Sequence, residues 1–373
     1  MSELRVLILL DSGVVGGPEK YVVGYARRLK KRFPVFIGTF GSNALPGGLG
    51  EYVGKAGGLE HVAIQAKHSY DPAQILRLRR FVAEAGICVI NSHGYRADIV
   101  GWLASRWTRT RLVATYHGWT GADCKVRLFE RLDRWVLKRM DHIICVSGAN
   151  KKRLMNLGIA DRKITVVENA IDPGEFFGCS KYENTGLLRR EMGFTNENKI
   201  VVSIGRLSKE KGQALGLKAY AEAVKQVPEA RLVFVGSGPD EPKLQRLADE
   251  LNVGWGIRFV RHRKNVVDYV RLADIVLLSS VTEGLPTVVL EAFVCGKLVI
   301  ATAVGGTPEI VREGETGVLV AAGDELALSR AIAKYLHDDR TRQRLGANAR
   351  EYVMRNHCFD GHARKIEEVL LGL

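Results

Sequence analysis

The chain has 373 residues, 46% of them apolar, which is long for one domain and suits two with cores of their own. No apolar run approaches the roughly 18 residues of a membrane-spanning helix, and the six cysteines (Cys88, Cys124, Cys145, Cys179, Cys295, Cys358) lack a Cys-x-x-Cys pair, which argues for a reducing cytoplasm and against a zinc or disulfide framework. The formal charge of +14 is concentrated in residues 1–180, where 27 Lys and Arg stand against 16 Asp and Glu, so the expected partners are anionic lipid, an acidic acceptor or nucleic acid.

Residues 1–10 lack a signal peptide's long apolar segment and read as the first buried strand. Further strands are predicted at 35–39, 61–64, 88–91, 112–116, 142–146 and 164–167, with helices at 19–31, 73–85, 96–106 and 125–140. Such alternation implies a parallel, doubly wound sheet. In the first strand-to-helix turn, Asp11 to Glu19, Gly16-Gly17 lets backbone N–H groups approach a ligand, with a helix start behind them. A tight turn with no ligand is the competing reading. The dinucleotide fingerprint Gly-x-Gly-x-x-Gly is absent, which weakens a nicotinamide reading. His93 and His117 each follow a predicted strand and precede a glycine, so both are expected at the sheet's ligand edge, where a neutral imidazole can bond a sugar hydroxyl.

Residues 171–198 lose the periodicity and read as a linker followed by a short helix. Alternation then restarts, with strands at 200–204, 231–235, 257–260, 275–279, 298–301 and 317–320. The expected architecture is α/β: two tandem Rossmann-like doubly wound domains with a cleft between them. After the strand at 200–204, Gly205-Arg206-Leu207-Ser208-Lys209-Glu210-Lys211-Gly212 puts Arg206 and Lys211 on one loop, where a guanidinium and an ammonium can hold a diphosphate without metal. A solvated basic loop is the bland alternative. No two aspartates stand in Asp-x-Asp spacing, so no metal site is expected. The next motif is Glu283-Gly284-Leu285-Pro286-Thr287, with Glu291 four residues on inside a short apolar helix. Two carboxylates suit a sugar and a ribose, and the helix start between them suits an anion. A further Gly-rich turn carries Gly305-Gly306 and Glu309. The turn at Gly236-Ser237-Gly238 reads as structural.

The ordered set Gly16-Gly17, Arg206 to Lys211-Gly212, Glu283-Gly284-x-Pro286 to Glu291, and Gly305-Gly306-x-x-Glu309 resembles the retaining, nucleotide-sugar-dependent glycosyltransferases of the two-Rossmann GT-B fold, the glycosyltransferase 4 family. The resemblance covers nearly the whole chain. It implies that Glu283 contacts donor-sugar hydroxyls, Glu291 the nucleotide ribose, Arg206 and Lys211 the diphosphate, and Gly16-Gly17 the phosphates and acceptor. By the same resemblance Gly284, Leu285, Pro286 and Thr287 line the donor site, His117 stands beside the donor sugar, and His93 lies on the acceptor side. Arg263 falls where the family recognises the base. There Arg261 replaces the family's usual glycine, and Asn169-Ala170-Ile171-Asp172 departs from its Asn-Gly-Ile-Asp.

The implied reaction is retaining and metal-independent, moving a sugar from a UDP- or GDP-sugar to a glycolipid, lipopolysaccharide or polysaccharide precursor. A GT-B sugar-nucleotide epimerase or hydrolase is the alternative. No cofactor is implied. The implied division is 1–170 for the acceptor, with a C-terminal helix at 358–373 packing back on it, and 171–357 for the nucleotide sugar. Nucleic-acid binding is not expected, since aromatic strand platforms, helix-turn-helix and zinc signatures are lacking. Residues 25–33 pack five positive charges into one helix end, and 125–139 interleave cations with Leu, Phe and Trp at helical spacing. They suit peripheral contact with the anionic inner face of the cell membrane, part of the apolar stripe at 125–139 being ordinary core.

Overall fold

The computed structural model describes residues 4–11, 16–41, 48–55, 58–66, 68, 71–119, 124–177, 185–261 and 266–373. The chain divides into two compact units, Met1–Ala170 with Phe359–Leu373, and Ile171–Cys358.

The first unit is built on β1 (Val6–Leu10), β2 (Val35–Phe40), β3 (Glu60–Ile64), β4 (Val89–His93), β5 (Arg111–Tyr116), β6 (His142–Cys145) and β7 (Ile164–Val166). They pair in parallel in the order β3-β2-β1-β4-β5-β6-β7. β1 is an unbroken apolar run with every residue buried, as a strand covered on both faces must be. Its side chains alternate between two cores. Val6, Ile8 and Leu10 face Tyr21, Val22, Tyr25 and Leu29 of the helix Gly17–Leu29, while Leu7 and Leu9 face Leu78, Val82, Val100 and Leu112. The C-terminal helix Phe359–Leu371 completes the first core with Phe359, Ala363, Ile366 and Leu370. Two ion pairs, Arg28 to Asp360 and Arg32 to Glu367, both 2.9 Å, fix it along the helix Gly17–Leu29.

The second unit carries β8 (Lys199–Ile204), β9 (Ala230–Val235), β10 (Ile257–Val260), β11 (Ile275–Leu278), β12 (Leu298–Thr302) and β13 (Val318–Val320), parallel in the order β10-β9-β8-β11-β12-β13. Its helices Gln213–Ala223 and Glu325–His337 share one core with β8 and β9. The chain enters and leaves this unit at one place, where the Ile171 amide donates to the His357 carbonyl at 2.8 Å.

Both sheets reverse strand order once, between β1 and β4 and between β8 and β11. Ligands of open α/β sheets bind outside the carboxyl ends of the strands at such a reversal. Two sequence expectations change. β4 runs on to His93 instead of ending near residue 91, because Asn91, Ser92 and His93 find partners while buried. The stretch after Ile171 holds two short helices, Gly174–Phe177 and Thr185–Glu191, where a linker and one helix were expected.

Candidate functional site

In the second unit the loops after β8, β11 and β12 lock together at the strand-order reversal. Arg206 stands exposed just past β8, and its carbonyl accepts from Gln213 Nε2 at 2.8 Å. Leu207, fully buried, donates its amide to the Ser237 carbonyl at 3.1 Å, which ties this loop to the one after β9. A single 3-10 turn, Lys209–Lys211, follows, and the Glu210 carbonyl accepts the Val281 amide at 2.9 Å from the loop after β11. Gly212 then starts the helix Gln213–Ala223 with φ +61°, and a Cβ there would lie 2.1 Å from the Ser279 carbonyl oxygen.

These constraints set Lys211 against Glu283. Lys211 Nζ donates to Glu283 Oε1 at 2.7 Å and to Oε2 at 3.0 Å, and Ser280 Oγ donates to Oε1 at 2.6 Å. Ser280 is in turn held by Thr302, whose hydroxyl donates to the Ser280 carbonyl at 2.6 Å. The Glu283 side chain is 7% exposed, so its charge depends on that ammonium and hydroxyl. Behind it lies Gly305 with φ +52°, where a Cβ would come 1.8 Å from the Glu283 carbonyl oxygen. The next amide, Gly306, donates to the Gly284 carbonyl at 3.0 Å. The Gly305-Gly306 turn is therefore the backing of Glu283. Leu285 and Pro286 are buried, and Pro286 caps the helix Thr287–Val294, on which Thr287 and Glu291 are both half-buried. Arg263 and its neighbour His262 lie outside the described residues. Arg261 is exposed and pairs with Glu241 at 3.3 Å.

In the first unit β4 and β5 bring His93 and His117 together. His93 Nδ1 lies 2.9 Å from His117 Nε2, and His93 Nε2 lies 2.9 Å from Tyr25 Oη and 3.2 Å from Asn91 Oδ1. The protons on this chain follow from Asn91. Its Nδ2 donates to Thr115 Oγ1 at 2.9 Å and the Val113 carbonyl at 3.3 Å, so its Oδ1 accepts, including from the Tyr25 hydroxyl at 3.1 Å. His93 Nε2 faces acceptors and carries a proton. His93 Nδ1 then accepts from His117 Nε2, which leaves the lone pair of His117 on Nδ1. Among the described residues that Nδ1 has no partner. Burial pushes the His117 imidazole down to about 4, and burial with the nearby His117 and His362 holds His93 well below the usual range. Both rings are neutral at pH 7, and His117 offers an acceptor to a hydroxyl.

Gly16 is the N-cap of the helix Gly17–Leu29, and its amide donates to Glu19 Oε2 at 2.9 Å. Asp11, just past β1, is raised to about 6 by burial, against the pull of Arg96 at 3.7 Å. Sequence reasoning singled out none of Asp11, Arg96, Tyr25, Asn91, Thr115, Ser280 or His362. Tyr25 was read as part of a basic helix end, although its ring is fully buried. His362 in the C-terminal helix bridges Tyr21 Oη and the Glu168 carbonyl, both at 2.8 Å. No local motif marks such residues: Asn91 bonds the Val113 carbonyl 22 positions away, and His362 bonds Tyr21 341 positions away.

Residues 15–175 match the model of Glycosyltransferase Family 4, and residues 185–352 that of Glycosyl transferases group 1. An N-acetyl-alpha-D-glucosaminyl L-malate synthase from Bacillus anthracis is 30% identical over 291 residues, 76% of this chain and 74% of that protein. A D-inositol 3-phosphate glycosyltransferase from Corynebacterium glutamicum is 32% identical over 283 residues, 71% of this chain and 68% of that one. The chain belongs to the family 4, group 1 glycosyltransferases. Its fold is GT-B, and this glycosyltransferase takes its sugar from a nucleotide-sugar donor. The Anabaena protein HepE, solved in complex with UDP-glucose, superposes with a TM-score of 0.86 at 22% identity, covering 99% of this chain and all of HepE.

Proposed function

We propose that this glycosyltransferase moves a sugar from a UDP-sugar to a glycolipid or polysaccharide-precursor hydroxyl in the cytoplasm, with retained configuration and without a metal. The observation that carries the reading is the Lys211–Glu283–Ser280 cluster at the strand-order reversal of the second unit. A sugar-binding carboxylate and a diphosphate repel each other in one pocket. An ammonium hydrogen-bonded to both Glu283 oxygens neutralises the first anion while keeping a further N–H for the second. Arg206, exposed on the same loop, supplies a planar fork for the remaining phosphate oxygens. Glu291 bonds the ribose, and Gly284 to Thr287 bring backbone and the helix start to the donor.

In the transfer the bond from the anomeric carbon to the diphosphate oxygen breaks, and a bond to the acceptor oxygen forms on the same face. The acceptor proton passes to the departing phosphate oxygen, whose charge Arg206 and Lys211 stabilise. His117, neutral and with its lone pair on Nδ1, offers the first unit an acceptor for a substrate hydroxyl. Glu283 contacts the sugar and forms no covalent bond with it. UDP as the nucleotide draws support from HepE, which was solved with UDP-glucose.

Thermal melts in EDTA with UDP, GDP and their sugar conjugates test the donor. A ligand at 100 times its Kd adds about 2.7 kcal/mol to the folded state, so UDP and one UDP-sugar should raise the midpoint and GDP should not. Glu283→Ala should fold and bind UDP yet transfer nothing. A response to GDP alone, or activity lost in EDTA and restored by Mg²⁺, would overturn the nucleotide or the metal-free site respectively. Consumption of donor at an undiminished rate with no acceptor present would instead mark a hydrolase.

A further inference from the structure

The helix Cys124–Leu137 inverts the usual amphipathic arrangement. Its two acids, Glu130 and Asp133, are 3% and 2% exposed, with Asp133 accepting from Trp119 Nε1 at 2.8 Å. Leu128, Leu132 and Trp135, spaced i, i+4, i+7, form an outward stripe and are 57%, 48% and 47% exposed. The apolar stripe expected to be partly core is thus divided: Val136 and Leu137 are buried, while these three face outward. The charged side chains described on the exposed surface of this helix, Arg127, Arg131 and Arg134, are all cationic, and exposed Lys138 and Arg139 continue them.

The stripe ends on a group of tryptophans and arginines. The Trp135 ring meets Trp102 edge-on at 5.0 Å, Arg139 lies over Trp135 at 3.3 Å, and Arg106 lies 5.1 Å from Trp102. Next to them Trp107 is 72% exposed. A shallow, open cavity of about 330 Å³ is lined by Arg106, Arg139, Trp102, Leu112, Ser105 and Thr110. The other basic segment offers less free charge. Arg28 and Arg32 pair with Asp360 and Glu367, and Lys30 donates to the Gly58 carbonyl.

We propose that this face docks on an anionic phospholipid bilayer, with Leu128, Leu132, Trp107 and Trp135 entering the interface and the Arg106–Arg139 cavity seating a lipid phosphate. Leucines left about half exposed are matched by acyl chains. Tryptophan rings favour the headgroup boundary, and a surface with cations and no exposed acid on its helix complements anionic lipid. At 1.5 Å per residue the helix spans about 21 Å, long enough to lie flat in the interface with both leucines and Trp135 facing down.

The test is co-sedimentation of the full chain with vesicles of phosphatidylcholine alone or mixed with phosphatidylglycerol, at low and high salt. Wild type should bind the mixed vesicles and hardly the neutral ones, and inorganic phosphate should not displace it. Each cation at an anionic surface is worth about fivefold, so Arg106→Glu with Arg139→Glu should weaken binding roughly 25-fold or more. Leu128→Ser with Leu132→Ser should abolish the binding that survives high salt. Should either variant fail to fold by circular dichroism, brominated lipid replaces it as the test and should quench the tryptophan emission of wild type. Equal binding to both vesicles, variants that bind like wild type, or absence of quenching would overturn the proposal. So would a wild-type dimer in sedimentation velocity that the leucine variant turns monomeric, since a second copy would then cover the stripe. The readout is lipid binding, so its failure would leave the proposed sugar transfer standing.

Discussion

At the scale of single residues, the site consists of charges and protons fixed by their neighbours. The imidazole of His117 is half-buried, donates from Nε2 to His93 and has its ionisation held down to about 4. Its neutrality has a thermodynamic consequence. A histidine whose folded value lies below its unfolded value of 6.5 is protonated more readily in the unfolded chain, so stability falls as pH drops from about 6.5 towards 4. Tyr25, Tyr21 and His362 surround the His93–His117 pair, and none supplies an acid that would offset the added charge. Asp11 and Asp133, both raised to about 6, act in the opposite sense and favour the folded state as pH falls from about 6 to 3.8. Comparison with His117→Asn separates the two. Between pH 7 and pH 5 wild type should lose about 2 kcal/mol relative to that variant, measured by urea unfolding of the first unit. Parallel pH profiles for the two proteins would mean that His117 is not held neutral. His93→Phe should break the proton chain at its middle, leaving the His117 Nε2–H without its acceptor while Tyr25 still donates to Asn91, and cost about 1–3 kcal/mol in urea unfolding.

At the scale of elements, the position of Glu283 is decided by loops that meet from three strands. Gly305 touches no ligand in the proposed reaction, yet a Cβ there would overlap the Glu283 carbonyl at 1.8 Å with φ already at +52°. Gly305→Ala should displace the turn that presents Glu283 and lower the transfer rate by about 100-fold, the effect of a misplacement of about 1 Å. Its donor-free melting point should change far less than its rate. Retained activity at full rate would show that the turn tolerates the shift and that the close contact is incidental. The strand ends and the Glu283 and Gly305 turns were legible in the chain because strand–glycine–helix transitions leave local marks: an apolar run, then Gly or Pro, then a new period. The ammonium–carboxylate contact was not, since Lys211 and Glu283 are 72 positions apart and nothing in either segment names the other. The same holds for Asn91, whose role is set by Tyr25 and Thr115 from other elements. Leu128, Leu132 and Trp135 fit a core pattern by period alone, and only burial separates them from Val136 and Leu137.

At the scale of the whole molecule, the last 15 residues belong to the unit that the first 170 build. Phe359, Ile366 and Leu370 are each 5% exposed or less and share a core with Val6, Ile8 and Tyr25. Each such side chain contributes about 1.5–3 kcal/mol by burial, so together they supply a large share of the roughly 5–15 kcal/mol that holds a domain. The C-terminal helix also closes the Tyr21–His362–Glu168 bridge next to His93 and His117. Ending the chain at Cys358 removes all of this from the first unit and nothing from the second, whose own closure is the Ile171 to His357 bond. The expected result is an asymmetric loss. In calorimetry the first unit of the truncated chain should melt far earlier or not cooperatively at all, while the second keeps its transition. UDP should still raise that second transition, because Arg206, Lys211, Glu283 and Glu291 all lie within Ile171–Cys358. Simultaneous loss of both transitions would mean that the units fold as one. An unchanged first transition would mean that the terminal helix adds little to the core it covers.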